Sequence, residues 1–116
     1  MTFDPRPYAE GIRRRNEEEL EEIRSRASLA REEALRLARA IREADAGVTS
    51  VILFGSLAQG EPKRLGFDID LALEGGDLYR ALDIVQESPF RIDLVDLALL
   101  GEEMAARIRM DGKRLS

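Results

Sequence analysis

The sequence predicts an α/β (α+β) fold: a small mixed sheet of at least three strands, flanked by helices and led by a long N-terminal helix. Three observations carry that expectation. Residues from about Ala9 to Ala44 read as one helix. At Ala46-Gly47 the texture switches to short, β-branched apolar runs. Those runs alternate with two amphipathic stretches of helical length. With 116 residues the chain suits a single core of ordinary size. We divide it into residues 1–46, the helical extension, and residues 47–116, the core.

The helix is read from composition and spacing. Its residues are rich in Glu, Arg, Ala and Leu, all good helix formers. Gly11 is its only glycine, and Pro5 and Pro7 limit how far it extends backward. Glu22 with Arg26 and Glu32 with Arg36 place opposite charges four residues apart. Leu20, Ile23, Ala27, Ala30, Ala34, Leu37, Ile41 and Ala44 alternate spacings of three and four, a heptad seam. Such a helix is roughly 50 Å long, whereas a core built from the remaining residues is only about 25 Å across. Part of the helix therefore projects or packs on something else. It is either a long surface helix with a frayed N-terminal third or a helix that pairs with another chain, which the alanines of the seam would let approach closely.

The core elements follow in order. VTSVILF (48–54) reads as a buried strand. FDIDLAL (67–73) reads as a second, ended by Gly75-Gly76. Asp77 caps a short helix with Leu78, Ala81, Leu82 and Val85 on one face, and Ser88-Pro89 stops it. RIDLVDL (91–97) is a third strand. Leu100, Met104, Ala105 and Ile108 make the stripe of a last helix that ends near Gly112.

Composition excludes several chemistries. With no His there are no imidazole bases, no His triads and no ordinary zinc site; with no Cys there are no disulfides or thiolate ligands. Metal chemistry here uses carboxylates, which suits Mg²⁺ or Mn²⁺. The absence of cysteine fits a reducing, cytoplasmic setting. No apolar run approaches the roughly 18 residues of a membrane span, and the first residues lack the apolar core of a secretory signal. The net charge of −5 argues against nucleic acid as a partner.

The chemistry concentrates in GSLAQGEPKRLGFDID, residues 55–70. Alternation along a strand points Asp68 and Asp70 the same way. Two carboxylates so close repel unless one is protonated or a cation lies between them, and a divalent cation with hard oxygen ligands is the simplest solution. A third acid is available in the third strand. Asp93 and Asp96 face opposite sides, so only one joins the pair. Asp93, between Ile92 and Leu94, is the choice; Asp96, near the strand end, suits a capping role. The alternative, acids that keep a sheet edge from pairing, sits poorly with so apolar a strand. Upstream, Gly55-Ser56 leaves the first strand. Gly allows close approach of the backbone to a ligand, and LAQG reads as opening a helix that Ser56 caps, with amide donors for a phosphate. Lys63 and Arg64 in the intervening loop would add positive charge there.

An apolar strand, Gly-Ser, a gap, then Asp-apolar-Asp: LFGSLAQG followed by FDIDLAL resembles the signature of the nucleotidyltransferase superfamily that includes DNA polymerase beta. The small size and RIDLVDL resemble its minimal members (MNT), over roughly residues 29–116. Carried over, Asp68 and Asp70 are the metal-binding acids, Asp93 is the third carboxylate and base toward the acceptor, and Gly55 and Ser56 are the triphosphate turn. Three positions depart from the usual pattern: the gap between Ser56 and Asp68 is one residue longer, Phe67 replaces a small polar residue, and Gln59 stands where Arg is common. The resemblance implies Mg²⁺-dependent transfer of NMP, AMP from ATP foremost, to a hydroxyl, with two Mg²⁺ ions in the active complex. It further implies an antitoxin paired with a HEPN-type RNase toxin, which such proteins neutralise by binding or by adenylylation of a tyrosine. The other reading is a nucleotidyltransferase fold with little or no activity, serving as an assembly subunit through its long helix, which pairs with itself or with the partner.

Overall fold

The computed structural model describes residues 2–116. Helix α1 (Arg6–Ala44) is followed by strand β1 (Val48–Phe54), strand β2 (Ile69–Gly75), helix α2 (Leu78–Val85), strand β3 (Ile92–Asp96), a single 3₁₀ turn (Leu97–Leu99), helix α3 (Glu102–Asp111) and the short strand β4 (Lys113–Arg114). The four strands form one mixed sheet in the order β3-β2-β1-β4. β1 runs antiparallel to β2 and β4, and β2 runs parallel to β3 through the α2 crossover.

Alternation sorts the strand residues onto two faces. Val51, Leu53, Ile69, Leu71 and Leu73 face α1 and α2, and with Ala27, Ala30, Ala34, Leu37, Ile41, Ala81 and Val85 they make the main core. Ile52 and Ala72 face the other way, where Leu97, Ala105 and Ile108 cover them in a smaller core. The alanines of α1 are buried against the molecule's own sheet, with Ala27, Ala30 and Ala34 fully inaccessible. The seam expected to admit another chain is therefore occupied from Ile23 to Ile41 by this one: a helix face of alanines lets strands approach more closely than leucines would.

The other half of α1 has no such cover. Every residue from Arg6 to Glu22 is exposed except Gly11, which is half-buried. The molecule measures 72 × 30 × 18 Å, and its radius of gyration is 18.6 Å, against about 13 Å for a compact chain of this length. We call this projecting half the arm. Among the described residues no helix is long and apolar enough to cross a membrane.

Several boundaries differ from expectation. α1 starts at Arg6, so Pro7 lies in its first turn, where the missing N–H has no intrahelical partner to lose. Arg36 pairs with Glu33 rather than Glu32, because Glu33 is held in place by the Ser88 hydroxyl. β2 begins two residues later than expected and runs on to Gly75, whose register partner is Val48. Asp77 caps α2 as expected, accepting from the Tyr79 N–H at 2.9 Å. β4 was not expected. It zips onto Ile52 and Leu53 of β1, and the pairing continues through the Leu115 N–H to Val51 O and the Val51 N–H to Ser116 O.

Candidate functional site

The site forms where β1 ends and where β2 and β3 begin. Asp70 lies in central β2, opposite Phe54 of β1 on one side and Asp93 of β3 on the other. Register fixes this arrangement: the parallel pairing that sets Leu71 beside Leu94 in the main core also sets Asp70 beside Asp93 on the opposite face. Parallel neighbours lie about 4.8 Å apart, so the two carboxylates share one patch. Asp68, just before the strand, is close enough to act electrostatically on Asp70. Asp96, the rejected alternative, caps the 3₁₀ turn by accepting from the Ala98 N–H at 2.9 Å.

The electrostatics of the patch are unfavourable as it stands. Burial pushes the Asp70 carboxyl up to about 6, and the negative charges of Asp93 and Asp68 add to the shift. Asp68 Oδ1 is sealed from solvent without a hydrogen-bond partner. Arg91 Nε stands 3.4 Å from that oxygen, as an ion-pair contact lacking the direction of a hydrogen bond. A buried carboxylate oxygen without a hydrogen bond, beside two further acids, suits an oxygen-seeking divalent cation. Among the described residues no three acids already converge as a formed metal cage. Asp93 is exposed.

Gly55 leaves β1 with φ +74°, a left-handed backbone that favours glycine. Any Cβ there would overlap the Asp70 carboxylate, so turn and acid are packed backbone against side chain. The LAQG stretch is a tight turn and not the expected helix. The Ala58 N–H closes it onto Gly55 O, Leu57 and Ala58 turn into the core, and Gly60 and Pro62 follow too soon for a helix to continue. Ser56 therefore caps no helix. It lines a cavity of about 400 Å³ together with Gln59, Glu61, Lys63, Arg64 and Phe67, and Arg31 pairs with Glu61 there. The structure thus gathers Ser56, Lys63 and Arg64 around one hollow beside Gly55, and Asp70 and Asp93 on the adjoining sheet face with Asp68 just ahead of it.

Two arginines were missed by the sequence reading. Arg31 of α1 donates from Nε to Leu57 O at 3.2 Å and from Nη2 to Gly60 O at 2.6 Å, and pairs with Glu61, holding the turn in shape. Nothing along the chain announces a contact across some 26 residues. Arg91, which faces Asp68, does carry a signal: it is the cation immediately before the acid-bearing strand.

Neither known protein families nor curated proteins match the chain by sequence. Solved structures do match. A chain of a toxin–antitoxin crystal structure with AMP-PNP aligns with TM-score 0.56 at 24% identity, covering 67% of this chain and 68% of that one. A structure of tri-AMPylated Shewanella oneidensis HEPN toxin in complex with MNT antitoxin aligns with TM-score 0.51 at 21% identity, covering 78% and 71%. The toxin–antitoxin MntA-HepT aligns with TM-score 0.51 at 20% identity, covering 77% and 71%. The chain has the fold of these proteins. That is the nucleotidyltransferase-like fold expected from GSLAQGEPKRLGFDID, recovered here by backbone geometry.

Proposed function

We propose that the protein is a minimal nucleotidyltransferase that transfers AMP from ATP to a hydroxyl on a partner protein, as the antitoxin of a HEPN-type toxin. The observation that carries this reading is the register lock of Asp70 to Asp93 on a face that Gly55 abuts. It sets paired acids beside a backbone turn able to receive phosphates. The structural neighbours lend support, since one includes AMP-PNP and another an AMPylated HEPN toxin.

Asp68, Asp70 and Asp93 would hold Mg²⁺, which would supply charge neutralisation for the triphosphate and a lower pKa for the attacking hydroxyl. The chain's own groups do the rest. Gly55 lets the turn approach the phosphates, Ser56 donates to them, and Lys63 and Arg64 balance their charge from the cavity rim. Asp93, the exposed acid, takes the proton of the acceptor hydroxyl. The acceptor oxygen bonds to the α-phosphorus, the bond to the β-phosphate bridging oxygen breaks, and pyrophosphate leaves. Phe67 gives the cavity an apolar wall on which a base can stack.

The test is radiolabelled ATP with Mg²⁺ and the co-expressed toxin. Wild type should label the toxin, and a chain with Asp68→Ala and Asp70→Ala should not. If neither chain labels it and both bind ATP equally weakly, the fold serves assembly alone.

A further inference from the structure

The arm is an unusual object for a stable protein. Helix without tertiary packing is marginal in water, yet α1 continues unpacked from Glu22 back to Arg6. The buried seam runs on into it: from Ile23 the same face continues through Leu20, Asn16, Ile12 and Ala9, at spacings of three or four. Leu20 and Ile12 lie bare on that face, 51% and 38% exposed. The charges beside it have a symmetry. Arg13, Arg14 and Arg15 stand on one side of Asn16 in the sequence, and Glu17, Glu18 and Glu19 on the other. The two blocks are mirror images in sign about one residue.

We propose that the arm pairs antiparallel with the arm of a second copy of this chain, about a two-fold axis at Asn16. In that arrangement residue n lies level with residue 32 − n of the other chain. Ile12 meets Leu20, Asn16 meets itself, and Ala9 comes level with Ile23, which its own chain already covers. At 3.6 residues per turn, Arg13 and Glu17 flank the seam on one side, and Arg15 and Glu19 on the other. The two-fold axis sets Arg13 beside Glu17 of the second copy, and Arg15 beside Glu19 of the second copy, each pair occurring twice. A parallel pairing in register would instead set like charges against like, which is destabilising. An Asn in an otherwise apolar seam is a known device for fixing register. The receiving surface is already shaped: Asn16, Glu19, Leu20, Ile23 and Lys63 line a groove of about 290 Å³ where the arm meets the body, level with Ile12 and Ala9 of the second copy. Two such arms bury on the order of 1,000 Å², the lower limit of a specific interface, so the dimer forms and dissociates with concentration. Of the proposed site only Lys63 borders this groove, and neither the acids nor Gly55-Ser56 take part, so a dimer without labelling, or labelling without a dimer, separates the two readings.

Sedimentation equilibrium decides it. Wild type should rise with concentration from 13.0 kDa toward twice that mass. An all-acidic arm (Arg13→Glu with Arg15→Glu) and an all-basic arm (Glu17→Arg with Glu19→Arg) should each remain monomeric alone. Mixed one to one, they should restore the dimer, which a merely unfolded arm would not do. The chain has no cysteine, so direction can be read by oxidation. Ile12→Cys mixed with Leu20→Cys should crosslink, and Ile12→Cys alone should not. Wild type that stays at 13.0 kDa up to its solubility limit, dimers of the all-acidic arm alone, or crosslinks of Ile12→Cys with itself would each overturn the proposal. The first result would leave the seam to a different protein.

Discussion

The two halves of α1 share one seam and one stock of residue types, and they meet opposite fates. From Ile23 to Ile41 the seam is closed over by the sheet, with Ala27, Ala30, Ala34, Leu37 and Ala38 fully inaccessible. From Arg6 to Glu22 it is open. The difference lies in what stands beside the seam. In the buried half, small residues admit the strands and the charges point outward. In the arm, arginines and glutamates flank the seam on both sides, and no strand of this chain reaches it. Heptad spacing specifies that a helix has a partner; the side chains along it decide whether that partner is a sheet or another helix.

The sharpest way to break this comparison is to cut the same side chain in each half. Leu37→Ala should lower stability by about 3 kcal/mol, as cavity-forming changes in a packed core do. Leu20→Ala should stay within about 0.5 kcal/mol, with urea denaturation of the monomer as the measurement. Equal losses would mean the arm is packed in solution. Enlarging the small residues comes next. Ala34→Leu forces the sheet away and should cost about 2 kcal/mol, while Ala9→Leu should leave the unfolding midpoint of the monomer unchanged.

Charges separate the halves more gently. Arg31→Ala removes the two bonds to the turn carbonyls and should cost about 1 kcal/mol, with faster amide exchange at residues 57–61; Arg14→Ala in the arm should do neither. Unchanged exchange would show that the turn keeps its shape without Arg31. The smallest effect depends on pH. Asp70 is raised from 3.8 to about 6, chiefly by burial, so the native state prefers it protonated. Its contribution is complete below about pH 4 and is lost as pH rises through 6. The full shift corresponds to about 3 kcal/mol, of which solvent screening of this half-open carboxyl leaves about 1 kcal/mol. Asp70→Asn should therefore melt higher than wild type at pH 8 and match it at pH 4, and Mg²⁺ should narrow the gap at pH 8. A gap that grows toward low pH would contradict the assignment.

Much of this was legible in advance, and the exceptions have physical causes. β1 and α2 fall where their β-branched run and Asp77 cap put them, because both signals are local. Alternation separates Asp70 from the apolar residues beside it, but its closeness to Asp93 depends on parallel register, which no single strand encodes, and Asp68 lies just ahead of the strand, where alternation does not apply. LAQG has helical composition, yet Leu57 and Ala58 are drawn into the core and the stretch closes as a turn. β4 is two charged residues with no strand signature; it exists because β1 offers it a free row of amides and carbonyls. Arg31 acts on the turn from a helix that composition describes only as amphipathic.

That short fourth strand has a consequence for the molecule's behaviour in a crowd. VTSVILF is the most adhesive segment of the chain, a β-branched apolar run of the kind that recruits copies of itself when one side lies bare. β2 covers one side. On the other, Lys113 and Arg114 cover part of it and set two positive charges at the rim, and Leu115 and Ser116 continue the cover back to Val51. The opposite rim of the sheet, β3, carries Asp93 and Asp96. Both margins are thus charged, and of opposite sign. With β2 on one side and this cover on the other, β1 itself offers little bare edge to strand-by-strand growth.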